Sequence, residues 1–213
     1  MGEESAFVPF DPDGLLEVTE RHLPHWHQPN CTYFVTFRLA DSLPRAKYEE
    51  WVSEREQWLR AHAAPLTRAQ KAEYYHRFPE RLQQWLDGGY GNCWLREPRI
   101  AGLVESSLTC FDGDRYLLSA YVIMPNHVHA LVKPLGDQTL TRTIRGWKSF
   151  SARGINDLLG RRGTVWQPES FDHIVRNLES MHHFDEYIRL NPMKGGLVAG
   201  EYRIGAGKLC TAV

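Results

Sequence analysis

Two histidines one residue apart, His127-Val128-His129, stand inside an apolar run over residues 127–133 (HVHALVK) that has the composition of a strand. Side chains at i and i+2 of a strand point to one face. The imidazoles of His127 and His129 therefore converge, while Val128 turns to the opposite, core side. Such a pair can hold one divalent ion if a further nitrogen or oxygen donor joins it and positions remain open for substrate. The plainer explanation is two polar residues on a half-exposed strand, and the spacing alone does not separate the two. His25-Trp26-His27 has the same spacing but lies in a proline-rich stretch, where nothing fixes both rings on one face, so it ranks lower.

The second candidate is the run Asp185-Glu186-Tyr187-Ile188-Arg189-Leu190-Asn191-Pro192. Read as a helix, Leu178, Met181, Phe184 and Ile188 form the buried stripe, and Tyr187 falls at its edge. His183, Tyr187 and Asn191 are four apart and share a flank. A tyrosine with its ring against the core and its hydroxyl at the margin could act as a nucleophile. Asn191, one turn on, could offer its amide oxygen as the third metal donor. The ordinary readings are a core-edge tyrosine and an asparagine that ends a helix before proline.

The charge is distributed unevenly along the chain. Its 213 residues carry 25 Lys and Arg against 26 Asp and Glu, a net charge of −1, which excludes a generally polycationic nucleic-acid binder. Residues 1–113 are net acidic and residues 114–213 net basic. Within 138–162, Arg142, Arg145, Lys148, Arg153, Arg161 and Arg162 face only Asp157, the best candidate for a phosphate-facing surface. Single strands are bound by basic grooves with aromatic platforms. Arg142, Arg145 and Lys148 beside Trp147, and Trp166 after Arg161 and Arg162, fit that description, although Trp147 suits a core position equally well.

These residues need elements to position them. Residues 1–30 read as a proline-rich arm. Residues 32–39 (TYFVTFRL) read as a strand, 98–111 as a helix, 116–124 and 127–133 as two strands joined by Pro125-Asn126, and 139 onward as a helix. Short strand pieces are expected at 165–166 and 174–175, then a final helix over 178–190 stopped by Pro192 and Gly195-Gly196. Residues 44–92 change character: Tyr48, Trp51, Val52, Trp58 and Leu59 recur at helical spacing among many charges, with a break near Pro79. This stretch reads as a helical hairpin inserted into the sheet. The predicted fold is α+β, a single domain over 1–213. Its centre is a ferredoxin-like antiparallel sheet with helices on one face, plus the inserted hairpin and a C-terminal catalytic helix over 178–191.

A chain with 42% hydrophobic residues and 12% aromatic residues can bury a core. No apolar run reaches the roughly 20 residues of a membrane span, and the acidic Met1-Gly2-Glu3-Glu4-Ser5 lacks the order of a signal peptide. Cys31, Cys93, Cys110 and Cys210 lie far apart and are expected as reduced thiols. A cytoplasmic bacterial protein, nucleoid-associated when on DNA, is the expectation, with a monomer as the expected state and a dimer as the alternative.

Three strings, in order, are Met124-Pro-Asn-His-Val-His-Ala-Leu-Val132, Val165-Trp-Gln-Pro-Glu-Ser-Phe-Asp-His173 and Tyr187-Ile-Arg-Leu-Asn-Pro-Met-Lys-Gly-Gly-Leu197. Together they resemble the REP-associated tyrosine transposases, one-tyrosine members of the HUH endonuclease superfamily that are close to the single-strand insertion-sequence transposases. The resemblance spans residues 22–204. It implies that His127 and His129 bind a divalent cation, Mg2+ or Mn2+, that Asn191 is the third ligand and that Tyr187 is the nucleophile. It further implies attack that leaves a 5′-phosphotyrosine and a free 3′-OH. The implied partner is single-stranded or hairpin DNA, formed by imperfect palindromes beside a short guide sequence. The 44–92 stretch exceeds the minimal core of that family.

A phenol with pKa near ~10 is a poor nucleophile until its proton is lost or shared. His173 or His183 could relay that proton, though a structural role is the favoured reading of both. Three functions compete: a metal-dependent single-strand endonuclease and strand transferase, a domesticated hairpin-binding protein without the chemistry, and a small metal hydrolase. The intact His127, His129 and Tyr187 favour the first over the second. A (β/α)8 hydrolase needs about 250 residues and alternating βα units, which disfavours the third.

Overall fold

The computed structural model describes residues 7–11, 17–20, 24–62 and 66–209. In chain order its elements are β1 (Glu17–Glu20), β2 (Pro24–His27), β3 (Tyr33–Arg38), α1 (Arg45–Ala61), α2 (Arg68–Tyr75), a π-helical turn (His76–Glu80), α3 (Arg81–Asp87) and α4 (Pro98–Thr109). There follow β4 (Tyr116–Ile123), β5 (His127–Pro134), α5 (Leu140–Leu158), β6 (Phe171–Ile174), α6 (Leu178–Lys194) and β7 (Arg203–Ala206).

Five strands form one antiparallel sheet in the order β6-β3-β5-β4-β7. Its first four strands have the ferredoxin-like arrangement expected from the sequence. The fifth, β7, was not expected: four residues with Gly205 among them carry little strand signal. Strands β3, β4 and β5 are buried along their whole length. Each is covered on both faces, which is why each reads as a continuous apolar run rather than an alternating one.

On one face Val35, Phe37, Val128 and Val132 pack against Val104 and Leu108 of α4 and Ile144 and Ile155 of α5. Gly154 lets the two helices meet, since a Cβ there would lie 2.9 Å from Leu103 Cδ1. On the other face Phe34, Val122 and Leu131 pack against Met181, Phe184 and Ile188 of α6. Helices thus cover both faces, two on one side and the C-terminal helix alone on the other. Thr139 caps α5 by accepting from the Arg142 amide at 3.2 Å, and Asn177 caps α6 by accepting from the Ser180 amide at 2.8 Å.

Three sequence expectations shift. Helix α6 does not stop before Pro192 but runs through it to Lys194, and its end is closed by the Gly195 amide donating to Asn191 O at 2.9 Å. Residues 165–166 form no strand, only an isolated bridge between Leu39 and Trp166. The 1–30 arm contains the short β1–β2 ladder. His25 and His27 fall on β2, where their side chains lie outside the described residues, as do Met1 to Ser5 and Cys210.

Between β3 and α4 the chain makes the helical excursion α1 to α3. Trp51, Trp58 and Phe78 give it a small core of its own, with Trp51 Nε1 donating to Phe78 O at 3.1 Å. The break near Pro79 is a π-helical turn over His76–Glu80, at a proline that has no backbone N–H to donate. Cys31, Cys93 and Cys110 are free thiols. Among the described residues no helix is long and apolar enough to cross a membrane.

Candidate functional site

His127 and His129 lie on β5 opposite Arg38 and Thr36 of β3 and share the face covered by α6. Their ring centroids are 4.7 Å apart. The plainer explanation of the pair was a half-exposed strand. Instead both are buried, at 1% and 0% exposure, because α6 and the excursion cover this face. Burial and the neighbouring Arg38 guanidinium push His127 down to about 3, and burial pushes His129 well below the usual histidine range. Both are therefore neutral at pH 7, the state that ligates a metal.

Each ring is oriented through Nδ1. His129 Nδ1 is 2.8 Å from Thr36 Oγ1, and His127 Nδ1 is 2.7 Å from Asn126 Oδ1. Such outer partners set which nitrogen faces a metal. The His129 ring stacks on Phe34 at 5.3 Å and meets the Tyr187 ring edge-on at 5.4 Å. The candidate nucleophile and the histidine pair, 58 to 60 positions apart in sequence, thus sit side by side.

Tyr187 is half-buried at the edge of the α6 stripe, as its spacing implied. It lines a cavity of about 380 Å3 with Thr36, Arg38, Trp51, Asp87 and Lys194. The Lys194 ammonium is 5.1 Å from the Tyr187 ring centroid. Arg38 is buried, its guanidinium 4.8 Å from the Tyr48 ring centroid and donating to Ser42 Oγ at 3.1 Å. The cavity wall opposite the sheet belongs to the excursion, whose Asp87 Oδ1 stands 3.8 Å from His127 Nε2.

Asn191 is fully buried, and among the described residues neither its amide oxygen nor its amide nitrogen has a hydrogen-bond partner. An unsatisfied buried amide costs about 1–3 kcal/mol, so a ligand role accounts for a group that packing alone does not. Among the described residues no three His, Cys, Asp or Glu side chains converge tightly enough to hold a metal ion. His127, His129 and Asn191, two neutral imidazoles and an amide, are the side chains here that could hold a divalent cation.

The basic residues expected to meet DNA lie elsewhere. Arg142, Arg145 and Lys148 are on α5, across the sheet from Tyr187. Arg142 is exposed, with Asp137 at 4.0 Å. Lys148 Nζ donates to Pro168 O at 3.0 Å, and burial pushes its ammonium down to about 8. Arg161 stacks over Trp94 with its guanidinium 4.3 Å from the ring centroid, and Arg162 is exposed. Trp166 is not an exposed stacking platform. It is 5% exposed, edge-on to Phe37 at 4.9 Å and donating to Ser151 Oγ at 3.0 Å, because the Leu39 bridge pulls its ring into the core. Trp147 is likewise core and donates to Tyr116 Oη at 2.9 Å. Arg145 and Lys148 line a second cavity of about 550 Å3, which shares Glu169 and Ser170 with the Tyr187 cavity around the β6 edge of the sheet.

His183 lines the Tyr187 cavity, whereas His173 is held on β6 opposite Phe34 and pushed down to about 4, mainly by burial. Sequence reasoning missed Thr36, Arg38, Asp87, Asn126 and Lys194. Arg38 did leave a signal, a lone cation in the apolar run TYFVTFRL, on the same alternation as Phe34 and Thr36. Asp87 left a weaker one, an acid at the last position of a helix, where the dipole disfavours it.

Residues 107–191 match the family model described as "Transposase IS200 like". That segment holds His127, His129, Tyr187 and Asn191. The chain is also similar to a REP-associated tyrosine transposase of Escherichia coli (strain K12), 29% identical over 82 residues, which is 38% of this chain and 47% of that protein. The chain thus spans about half the length of the curated relative it matches. A solved structure, described as the structure of the REP associates tyrosine transposase bound to a REP hairpin, matches at 18% identity and a TM-score of 0.41, covering 82% of this chain and 73% of that one. The resemblance carried by the sequence motifs is found again in the family model, over residues 107–191, and in the curated relative.

Proposed function

We propose that this chain, whose 107–191 segment matches the IS200-like transposases, is a single-strand DNA endonuclease and strand transferase with Tyr187 as its nucleophile. The observation that carries this reading is that Tyr187 of α6, which lines the cavity, meets the His129 ring of β5 edge-on at 5.4 Å, while the same helix buries the Asn191 amide without a hydrogen-bond partner among the described residues. The name of the curated relative supports hairpin-forming repetitive palindromes as the substrate. We infer a cytoplasmic protein, nucleoid-associated when bound to DNA, from the proposed action on DNA.

His127, His129 and Asn191 would hold Mg2+ or Mn2+. Such an ion, when bound, polarises the scissile phosphate and offsets the charge that develops in the transition state. Arg38 and Lys194 face the same cavity and draw the phosphate toward the Tyr187 hydroxyl. The phenol oxygen attacks phosphorus, and the P–O3′ bond breaks. The departing 3′ oxygen takes up a proton, while the phenol proton is lost to solvent or to His183 at the cavity wall. The products are a 5′-phosphotyrosyl linkage and a 3′-OH. The linkage conserves the phosphodiester bond energy, so a second 3′-OH can rejoin the strand without ATP. This outcome suits transfer better than hydrolysis.

The test is a 5′- or 3′-labelled hairpin oligonucleotide incubated with protein and Mg2+, then resolved on a denaturing gel. Covalent linkage of protein to the 5′ end of the cut strand is the expected result. Binding of the hairpin with no adduct and no nick would instead identify a domesticated hairpin-binding protein.

A further inference from the structure

The excursion α1 to α3 is more than a surface appendage, because its end reaches the histidine pair at two points. Asn126 Nδ2 donates to Leu86 O and to Tyr90 O, each at 3.1 Å. Carbonyls only accept, so these two bonds fix which end of the Asn126 amide is nitrogen. The oxygen is left facing His127 Nδ1 at 2.7 Å, and an amide oxygen also only accepts. His127 Nδ1 must then carry the proton, and Nε2 carries the lone pair. The second point is Asp87, whose Oδ1 stands 3.8 Å from that same Nε2. Two electron-rich atoms face each other there across a gap suited to a positive charge.

Charge gives the same answer. Two neutral imidazoles and an amide bring no formal charge to a divalent ion, and a buried cation is costly unless charge is supplied nearby. Hard ions such as Mg2+ and Mn2+ are held through carboxylates. Asp87 is the carboxylate that reaches His127, and it ends α3 where an acid opposes the helix dipole. A local rule broken at a site is expected where function compensates for it.

We propose that the inserted helices are part of the metal centre: Asn126, clamped between the Leu86 and Tyr90 carbonyls, holds His127 in its ligating tautomer, and Asp87 supplies the carboxylate that balances the charge of the ion. The proposal rests on the reading that His127 and His129 bind a divalent cation. It makes Asn126 and Asp87 positioning residues, with an effect on metal affinity independent of DNA.

The experiment uses the whole chain, Mn2+ alone as probe and electron paramagnetic resonance of free Mn2+ to obtain Kd, with histidine 15N shifts for the tautomer. Wild type should bind one Mn2+ and show His127 protonated at Nδ1. Asp87→Asn should weaken binding at least ~10-fold, the scale of losing a partner of a metal ligand. Glu80→Gln, the same charge change on the same excursion, should stay within about 2-fold, since exposed charges are screened. Asn126→Ala should move His127 toward the other tautomer. Asp87→Asn binding as tightly as Glu80→Gln, or a wild-type His127 protonated at Nε2, overturns the inference; the wild-type measurement holds even if the Asn126 variant does not fold. If His129→Ala binds Mn2+ as wild type does, the histidine-pair reading itself fails and this inference falls with it.

Discussion

The two faces of one sheet have been put to different uses. The α4 and α5 face is a conventional core: Val35, Phe37, Val104, Val128, Ile144 and Ile155 bury apolar surface, and its polar atoms, such as Trp147 Nε1 and Trp166 Nε1, find hydroxyl partners. The α6 face spends the same burial on Thr36, Arg38, His127, His129 and Asn191, leaves an amide without a partner and encloses a cavity. A fold gains nothing in stability from burying groups this way. The difference teaches where selection for chemistry has overridden selection for packing. Because adjacent residues of β5 point to opposite faces, the two demands alternate residue by residue along a single strand.

Changes on the α6 face should cost activity out of proportion to stability, and changes on the other face the reverse. The largest effect is expected from Tyr187→Phe, which should abolish nick and adduct, at least about 10³-fold. The ring remains against Phe34, so the unfolding free energy should move by no more than ~1 kcal/mol. Nicking at the wild-type rate would end the tyrosine mechanism. Next comes His129→Ala. Because the ring is fully buried, the fold should suffer as well: cleavage should fall on the order of 10²–10³-fold and stability by about 2 kcal/mol, both read on one preparation by gel and urea melt. Ile155→Ala, a fully buried residue on the sheet side of α5, should cost about 2–5 kcal/mol in the melt while leaving cleavage per folded molecule unchanged. A selective loss of cleavage there would show the faces to be coupled.

Acid sharpens the contrast. His127, His129 and His173 all have depressed values in the fold, so below about 6.5 the unfolded chain takes up protons that the native chain refuses. Stability is full above that pH and should fall as pH drops toward 4, by up to about 1.4 kcal/mol per pH unit for each histidine. His129→Gln should flatten the slope in pH-dependent melts, and an unchanged slope would count against the buried neutral state. The smallest effect is expected from Arg145→Ala on α5, a few-fold loss of DNA affinity equal across sequences, with the salt slope reduced by about 0.7 for a single strand. A sequence-selective loss would mean that α5 reads bases.

What was legible in the sequence followed periodicity. The two-residue period of HVHALVK put both histidines on one face, and the helical period around Ile188 put Tyr187 at a stripe edge; both placements hold. What was not legible depended on contacts distant in sequence. Burial of the histidines required knowing that α6 and the excursion close over them. Trp166 was read as a platform from its basic neighbours, but its bridge to Leu39 decides its position. Helix α6 continues through Pro192 because Pro forfeits only one donor near the end of a helix, which the sequence rule treats as a stop. Asp87 meets His127, and Leu86 clamps Asn126, from a helix 40 residues away, a distance no local pattern spans.

The central place of β3 in the sheet has a consequence for a chain that emerges from the ribosome in order. β3 is made early but must wait for β5, paired at Tyr33 with Val132, and for β6, paired at Tyr33 with Ile174. Only then is there a surface on which α6 can lay Tyr187. Long closures of this kind are slow and come late. A nascent chain halted anywhere before α6 has emerged has its histidines but no Tyr187 beside them. Under the proposed mechanism the order of synthesis would act as a safety catch: the capacity to cut DNA would arrive only after β3, β4, β5 and β6 are available to pair.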